Sequence, residues 1–372
     1  MKVIVLGGAG DMGSRAAEDL VASEGVTQVT IADRNVEAAQ EIAKKLEGKG
    51  ADLVIKEIDA NDHEALVEAI RGHDVAASAL GPFYIFEAKL VRAAIEAGVD
   101  YCSICDDWDP AEQVIDNYSE EAKKKGVTVI IGLGTSPGLS NVSVCHLTRQ
   151  MDKVRKVDVA VYLPLDMGGG PAALQHGLHI MSGNVPAWRD GKRVMVRACS
   201  DKRVVEFPKF GKKKVWNMGH SEPATIPRFM PGVEEVNFHM GLGLGANLGV
   251  YMSKLGFFEK ESRVDTLTRV IYSLDKLISG SEPDMGAVRV DVWGEKDGKE
   301  VHRMLCGTGQ MREGTGLSLS VGALMLGKKQ ILTEEGGVYA PEACLEPHNF
   351  LVYLNERGLQ GFEDIEMTKP VI

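Results

Sequence analysis

Three groups of residues in this 372-residue chain have the types and spacing to do chemistry. The first is Gly8-Ala9-Gly10-Asp11-Met12-Gly13, which follows the apolar run Lys2-Val3-Ile4-Val5-Leu6 and opens a helical stretch. Glycines in such a turn let the backbone approach a pyrophosphate, and the helix N-terminus stabilises its charge. Twenty residues past Gly13, at the end of the next apolar run, stands Asp33, placed to accept from ribose hydroxyls. The second group is the adjacent pair Asp106 and Asp107, which can hold an ammonium or, at one of the two, accept a proton. Their alternative role is to cap a helix opening at Pro110. The third is His176 and His179, three apart on one predicted helical face. They can hold a carboxylate or move a proton, their spacing is also compatible with a metal, or they are structural or surface histidines.

The elements that must position these groups alternate regularly. Strands are predicted at 2–6, 26–33, 51–58, 74–79, 99–103 and 127–131, with helices at 11–22, 36–46, 62–71, 86–97 and from Asp109-Pro110 to Lys125. Strands and helices alternating at these lengths mean a doubly wound parallel sheet, a Rossmann α/β fold. Ligands of such a sheet bind at the carboxyl ends of its strands. That edge gathers Gly8, Gly10, Asp11, Met12, Gly13, Asp33, Arg34, Asp59, Ala60, Ala79, Leu80, Ser103 and Ile104 as expected cofactor contacts. Asp33 favours NAD, because a 2'-phosphate beside a carboxylate is repelled; Arg34 is the group that would accept NADP.

After Gly134 the pattern turns to shorter alternating segments punctuated by Gly and Pro, such as 157–163, 193–197 and 287–293. This reads as a second, mixed α/β domain over 135–340, after a dinucleotide domain over 1–134, with 341–372 returning to the first. The apolar segment Met240 to Met252 either packs within that second domain or forms a subunit surface.

A formal charge of −11 excludes a nucleic-acid partner that works by displacing counterions, and the triplet Lys212-Lys213-Lys214 reads as a solvated loop. No secretory leader or bilayer-length apolar run is legible, and six scattered cysteines suit a reducing compartment, so a cytoplasmic location is expected. The Cys102-x-x-Cys105 pair lacks a second pair at zinc spacing, so no metal is expected.

Gly7, Gly10 and Gly13 also satisfy the looser spacing of extended short-chain dehydrogenases. The Tyr-x-x-x-Lys pair of those enzymes is matched here only by Tyr272 and Lys276, far from the fifth strand. A better likeness lies in Gly132-Leu133-Gly134-Thr135-Ser136-Pro137-Gly138-Leu139-Ser140-Asn141, Trp188-Arg189-Asp190-Gly191, His220-Ser221-Glu222-Pro223 and Gly337-Val338-Tyr339-Ala340-Pro341-Glu342. In these motifs and their order the chain resembles the saccharopine dehydrogenase family, on the side of the lysine 6-dehydrogenases.

The resemblance implies an NAD(P)-dependent oxidoreductase and homodimer, transferring hydride at a carbon–nitrogen bond of an amino acid such as lysine or of an opine-like amine. It implies substrate contacts in the loops after the fourth and fifth strands, at Leu80 and Gly81 and at Ile104, Cys105 and Asp106. From their own positions in the sequence Tyr84, which is otherwise a packing aromatic, Asp107 and His179 are further substrate contacts, and Asp106 and His176 are the catalytic candidates. Family members that bind saccharopine hold a carboxylate with an arginine on the first helix of the second domain. The corresponding stretch here, Leu174-Gln175-His176-Gly177-Leu178-His179, has none, which counts against saccharopine reductase proper. A protein that binds the dinucleotide and only responds to it is the other class of reading.

Overall fold

The computed structural model describes residues 1–164, 170–243, 246–259, 264, 266–268 and 285–372, with the side chains of 170–174 and 246–248 left aside; Tyr272 and Lys276 lie outside these residues. Two compact units emerge, 1–142 with 312–357 and 143–311 with 358–372.

The first unit opens with β1 (Lys2–Leu6), α1 (Asp11–Ala22), β2 (Gln28–Asp33), α2 (Val36–Leu46), β3 (Asp52–Glu57), α3 (His63–Ile70), β4 (Val75–Ser78), α4 (Phe83–Ala97), β5 (Asp100–Ser103), α5 (Trp108–Lys125) and β6 (Thr128–Ile131). The strands are parallel in the order β3-β2-β1-β4-β5-β6. Helices cover both faces of such a sheet, so Val3, Ile4, Val5 and Leu6 are all fully buried and the strand reads as one apolar run. Asn35 and Asp62 cap α2 and α3, accepting from the N–H groups of Ala38 and Ala65 at 3.0 Å. Gly98 and Gly126 end α4 and α5 in the left-handed region, at φ 70° and 67°.

Two helix starts differ from the sequence expectation. Helix α4 begins at Phe83, not 86, because Pro82 serves as its N-cap residue. Helix α5 begins at Trp108 with Asp107 as N-cap, so Asp109 and Pro110 lie inside the first turn. A proline is tolerated there, since first-turn N–H groups have no partner within the helix.

The chain passes through α6 (Leu139–Thr148) into the second unit: β7 (Lys153–Leu163), α7 (Gly170–Ile180), β8 (Asn184–Arg189), β9 (Lys192–Arg197), β10 (Lys202–Phe207), β11 (Gly211–Asn217), α8 (Glu222–Phe229), β12 (Glu235–Leu242), α9 (Ala246–Lys254), β13 (Met285–Lys296) and β14 (Lys299–Gln310). Its sheet runs β10-β11-β12-β7-β13-β14, with β8 on β12 and β9 on β8. Among its described strands, only β7 and β12 pair in parallel. Every second residue of the central strands enters one core: Val157, Val159 and Val161 meet Val236, Phe238 and Met240, then Val290 and Val292. Val250 joins them, so Met240 and Val250 of the apolar 240–252 segment pack within their own unit.

The lysine triplet 212–214 is not a loop. It lies in β11, paired with Glu206, Val205 and Val204 of β10, and alternation lets Lys213 lie over the Tyr162 ring at 5.0 Å.

Last come α10 (Met311–Gly327), β15 (Gly337–Tyr339), α11 (Pro341–Cys344) and α12 (Pro347–Glu356). Strand β15 joins the first unit's sheet beside β6, pairing Gly337 with Thr128. The return therefore begins at 312 instead of 341, and 358–372 groups with the second unit. The physical reason is α10, buried continuously from Gly314 to Leu326, which the first unit's core encloses. No helix among the described residues is long and apolar enough to cross a membrane.

Candidate dinucleotide and catalytic site

The chain reverses its building direction between β1 and β4, and the Gly turn lies at that point. Gly7, at φ 72°, packs so closely on the loop after β4 that a Cβ would lie 3.0 Å from Ala79 and Leu80 backbone atoms. A Cβ on Gly13 would run into the Gly7 carbonyl oxygen, whereas one on Gly10 would stand 3.2 Å from it. Gly13 thus serves packing of the turn, and Gly10, exposed, serves access. Gly10 is also the N-cap of α1 and offers no side chain to its N–H groups, which leaves that end of the helix fit to receive a phosphate.

Asp33 and the turn are joined directly: the Ala9 N–H donates to the Asp33 carboxylate at 3.0 Å, and the Asn35 N–H to its other oxygen at 3.0 Å. Arg34, Asn35, Val36, Glu37 and Glu57 line a shallow hollow beside it. Asp59 is also exposed. Its carboxylate accepts from the backbone and side-chain N–H groups of Asn61, at 2.9 and 3.0 Å, and these bonds hold it below the usual carboxylate range. Ala60 behind it is buried.

Sequence reading passed over Arg312, at the start of α10. Its guanidinium reaches Asp11 at 3.1 Å and the Ser14 hydroxyl at 3.2 Å, so it flanks the first turn of α1. Burial, the larger effect, raises the Asp11 carboxyl despite this cation. Nothing local in the sequence ties residue 312 to residue 11.

Ala79, Leu80 and Gly81 follow β4, with Tyr84 half-buried in the first turn of α4; Ser103, Ile104, Cys105, Asp106 and Asp107 follow β5. These are adjacent strands, so both loops lie on the same half of the edge. Asp106 is half-buried and Asp107 buried, and although Asp107 occupies the N-cap position its side chain makes no capping hydrogen bond. Cys102 and Cys105 are buried free thiols, and burial pushes both far above the ordinary range.

The segment Gly132–Asn141 closes on itself: the Gly138 N–H donates to the Asn141 side chain at 3.1 Å, and a Cβ on Gly138 (φ 118°) would strike the Gly134 carbonyl. The Asn141 amide then donates to the Glu342 carboxylate at 2.8 Å, joining two of the short motifs across the chain.

In the second unit, His220 Nδ1 and Glu222 Oε2 are 2.5 Å apart, both residues buried, and the His220 ring stacks on Phe238 at 3.9 Å. A carboxylate on one ring nitrogen fixes an imidazole's orientation for proton transfer at the other. His176, half-buried on α7, meets the His220 ring edge-on at 6.2 Å, while His179 is one turn further along. Asp106 belongs to the first unit and His176 to the second.

Residues 3–130 match the family described as saccharopine dehydrogenase NADP binding domain. Carboxynorspermidine synthase of Vibrio cholerae is 25% identical over 262 residues, 63% of this chain and 62% of that protein, which is under two thirds of its length. Carboxyaminopropylagmatine dehydrogenase of Synechocystis is 22% identical over 411 aligned positions, covering 100% of this chain and 99% of that one. Among solved structures, saccharopine dehydrogenase (L-Glu forming) of Saccharomyces cerevisiae superposes with a TM-score of 0.69 over 96% of this chain and 98% of its own, at 15% identity, and so shares the fold. Over residues 3–130 the chain is thus similar to the NADP binding domain of the saccharopine dehydrogenase family.

Proposed function

We propose that the chain is an NAD-dependent dehydrogenase acting at a carbon–nitrogen bond of an amino acid or of a carboxylated polyamine. The observation that carries this reading is the shared edge of the first unit: the Gly turn bonded to Asp33, and beside it the loop of Asp106 and Asp107. The relatives named above support the substrate class, because each is named for a molecule bearing both a carboxylate and an amine.

The dinucleotide, when bound, supplies the hydride carrier. The chain's own residues do the rest. Asp106 orients an ammonium and accepts its proton as a carbon–nitrogen double bond develops, and in the reverse direction returns it. His220, aligned by Glu222, is the second candidate for proton transfer. Asp33 selects NAD over NADP, with Glu37 and Glu57 adding negative charge to the adjoining hollow and Arg34 opposing them. Its assembly is a homodimer on the strength of the family likeness.

The test is turnover of NAD and NADP, and of their reduced forms, against a panel of lysine, saccharopine, carboxynorspermidine and carboxyaminopropylagmatine. Turnover of one of the last two supports the carboxylated-polyamine class. Tight dinucleotide binding with no turnover of any amine would instead make the chain a dinucleotide-responsive protein.

A further inference from the structure

Glu87 lies on the buried face of α4 and is fully enclosed, with Leu90, Val91 and Ala94 along the same stripe. Its Oε1 lies 2.6 Å from the Ser103 hydroxyl and its Oε2 3.2 Å from the Tyr101 hydroxyl; both oxygens accept when the group is ionised, and one of them donates when it is protonated. The Tyr101 hydroxyl is hydrogen-bonded to Ser78 as well. Each serine also holds a loop. Ser103 Oγ accepts from the Cys105 N–H at 3.4 Å, and Ser78 Oγ from the Leu80 N–H at 3.3 Å. A single carboxyl group therefore backs the loops after β4 and β5 together. The titratable groups facing it are Tyr101 and Cys102 on β5 and Cys105, Asp106 and Asp107 in the loop, all of them acids. Burial first, and then the two aspartates, push the Glu87 carboxyl up to about 7.

We propose that Glu87 is a positioning residue that holds a proton behind these two loops and releases it when positive charge arrives in front of them. The proposal rests on the dinucleotide reading above, since in this strand order the loops after β4 and β5 serve the half of the ligand beyond the Gly turn. An oxidised nicotinamide ring carries a positive charge and a reduced one does not, while the phosphates are the same in both. In a buried network of low dielectric, that charge favours the carboxylate form of Glu87, and the proton passes to the buffer. The ionised carboxylate then polarises the Ser103 hydroxyl, which accepts more strongly from the Cys105 N–H and tightens the loop that carries Asp106. The device senses the redox state of the dinucleotide through charge alone.

Calorimetric binding of NAD+ and of NADH at pH 7, each in two buffers of different ionisation enthalpy, counts the protons exchanged. The wild-type protein is expected to release about half a proton more with NAD+ than with NADH, because a group titrating near 7 is half protonated there. Glu87→Gln is expected to abolish that difference and leave both dinucleotides bound. An equal difference in the variant, or none in the wild type, overturns the proposal, while failure of the wild type to bind any dinucleotide overturns the reading beneath it. Carbon-13 spectra of glutamate-labelled wild type need no variant. One glutamate carboxyl must titrate near neutrality in the free protein and at lower pH with NAD+; the absence of such a resonance also overturns the proposal.

Discussion

The backbone N–H of Ala9 donates to the carboxylate of Asp33 at 3.0 Å, so the phosphate turn and the acid ending β2 form one hydrogen-bonded piece. Replacing Asp33 by alanine therefore removes a brace as well as a ribose acceptor, and affinity for both dinucleotides falls. Asp33→Asn separates the roles, because it keeps an acceptor for Ala9 and removes the charge. The expected result is a roughly tenfold or greater loss of NAD affinity, the usual scale for a charged hydrogen bond, with NADP affinity held or improved. Fluorescence titration with each dinucleotide checks it, and dissociation constants that rise in parallel would confine Asp33 to bracing the turn.

The glycines of the turn should separate in the same way. Gly10→Val brings a Cβ to 3.2 Å from the Gly7 carbonyl oxygen, a tight contact at an exposed position, so the melting temperature should fall less than in Gly13→Ala while dinucleotide binding is lost. Gly13→Ala forces a methyl into the Gly7 carbonyl and should lower the melting temperature itself. Retained affinity in Gly10→Val would remove that position from the site.

Asp106→Asn keeps shape and removes charge. Turnover is expected to fall by roughly a hundredfold, the common scale of acid–base help, with dinucleotide affinity little changed. Near wild-type turnover would transfer the proton chemistry to His220, or to His176 beside it.

Glu87 also predicts a pH dependence of stability. Its carboxyl lies at about 7 in the folded chain against 4.5 for an exposed glutamate, so the folded state binds the extra proton between those values. The associated stability is fully present below pH 4.5 and is lost as pH rises through 7, on the order of 3 kcal/mol in all. Glu87→Gln should lose that dependence, so its stability relative to the wild type should rise between pH 5 and pH 8. Denaturation curves at the two values measure it; a parallel response of both proteins would contradict it.

The first unit was legible because its central strands are buried on both faces, so apolar runs such as Val3–Leu6 had one reading. The second unit hid its edge hairpins. Strand β10 alternates exposed and half-buried positions before the buried Phe207, and in β11 three lysines follow Gly211, which a charge-based reading sends to solvent. Two signals were available and carried more than was drawn from them. Asp190-Gly191 and Asp297-Gly298 both have positive φ at each residue and close the hairpins β8–β9 and β13–β14. At the site, Glu87 stood in the sequence at helical spacing from Leu90, Val91 and Ala94, a charged residue on an apolar stripe. The pairing of His220 with Glu222 gave no such warning beyond its motif, and the link from Arg312 to Asp11 depends wholly on tertiary structure.

The pairing of β15 with β6 has a consequence for the growing chain. When residue 131 leaves the ribosome, the strand that will cover its open edge lies about 200 residues away, and at ordinary elongation rates it follows roughly 10–40 s later. Throughout that interval the nascent first unit presents an unpaired parallel edge of buried, β-branched residues, Thr128 to Ile131, and lacks the apolar α10 that completes its core. Such an edge is a template for association with other chains. Nascent-chain aggregation and chaperone occupancy should therefore peak between the synthesis of β6 and of β15, and then fall once residue 339 has emerged.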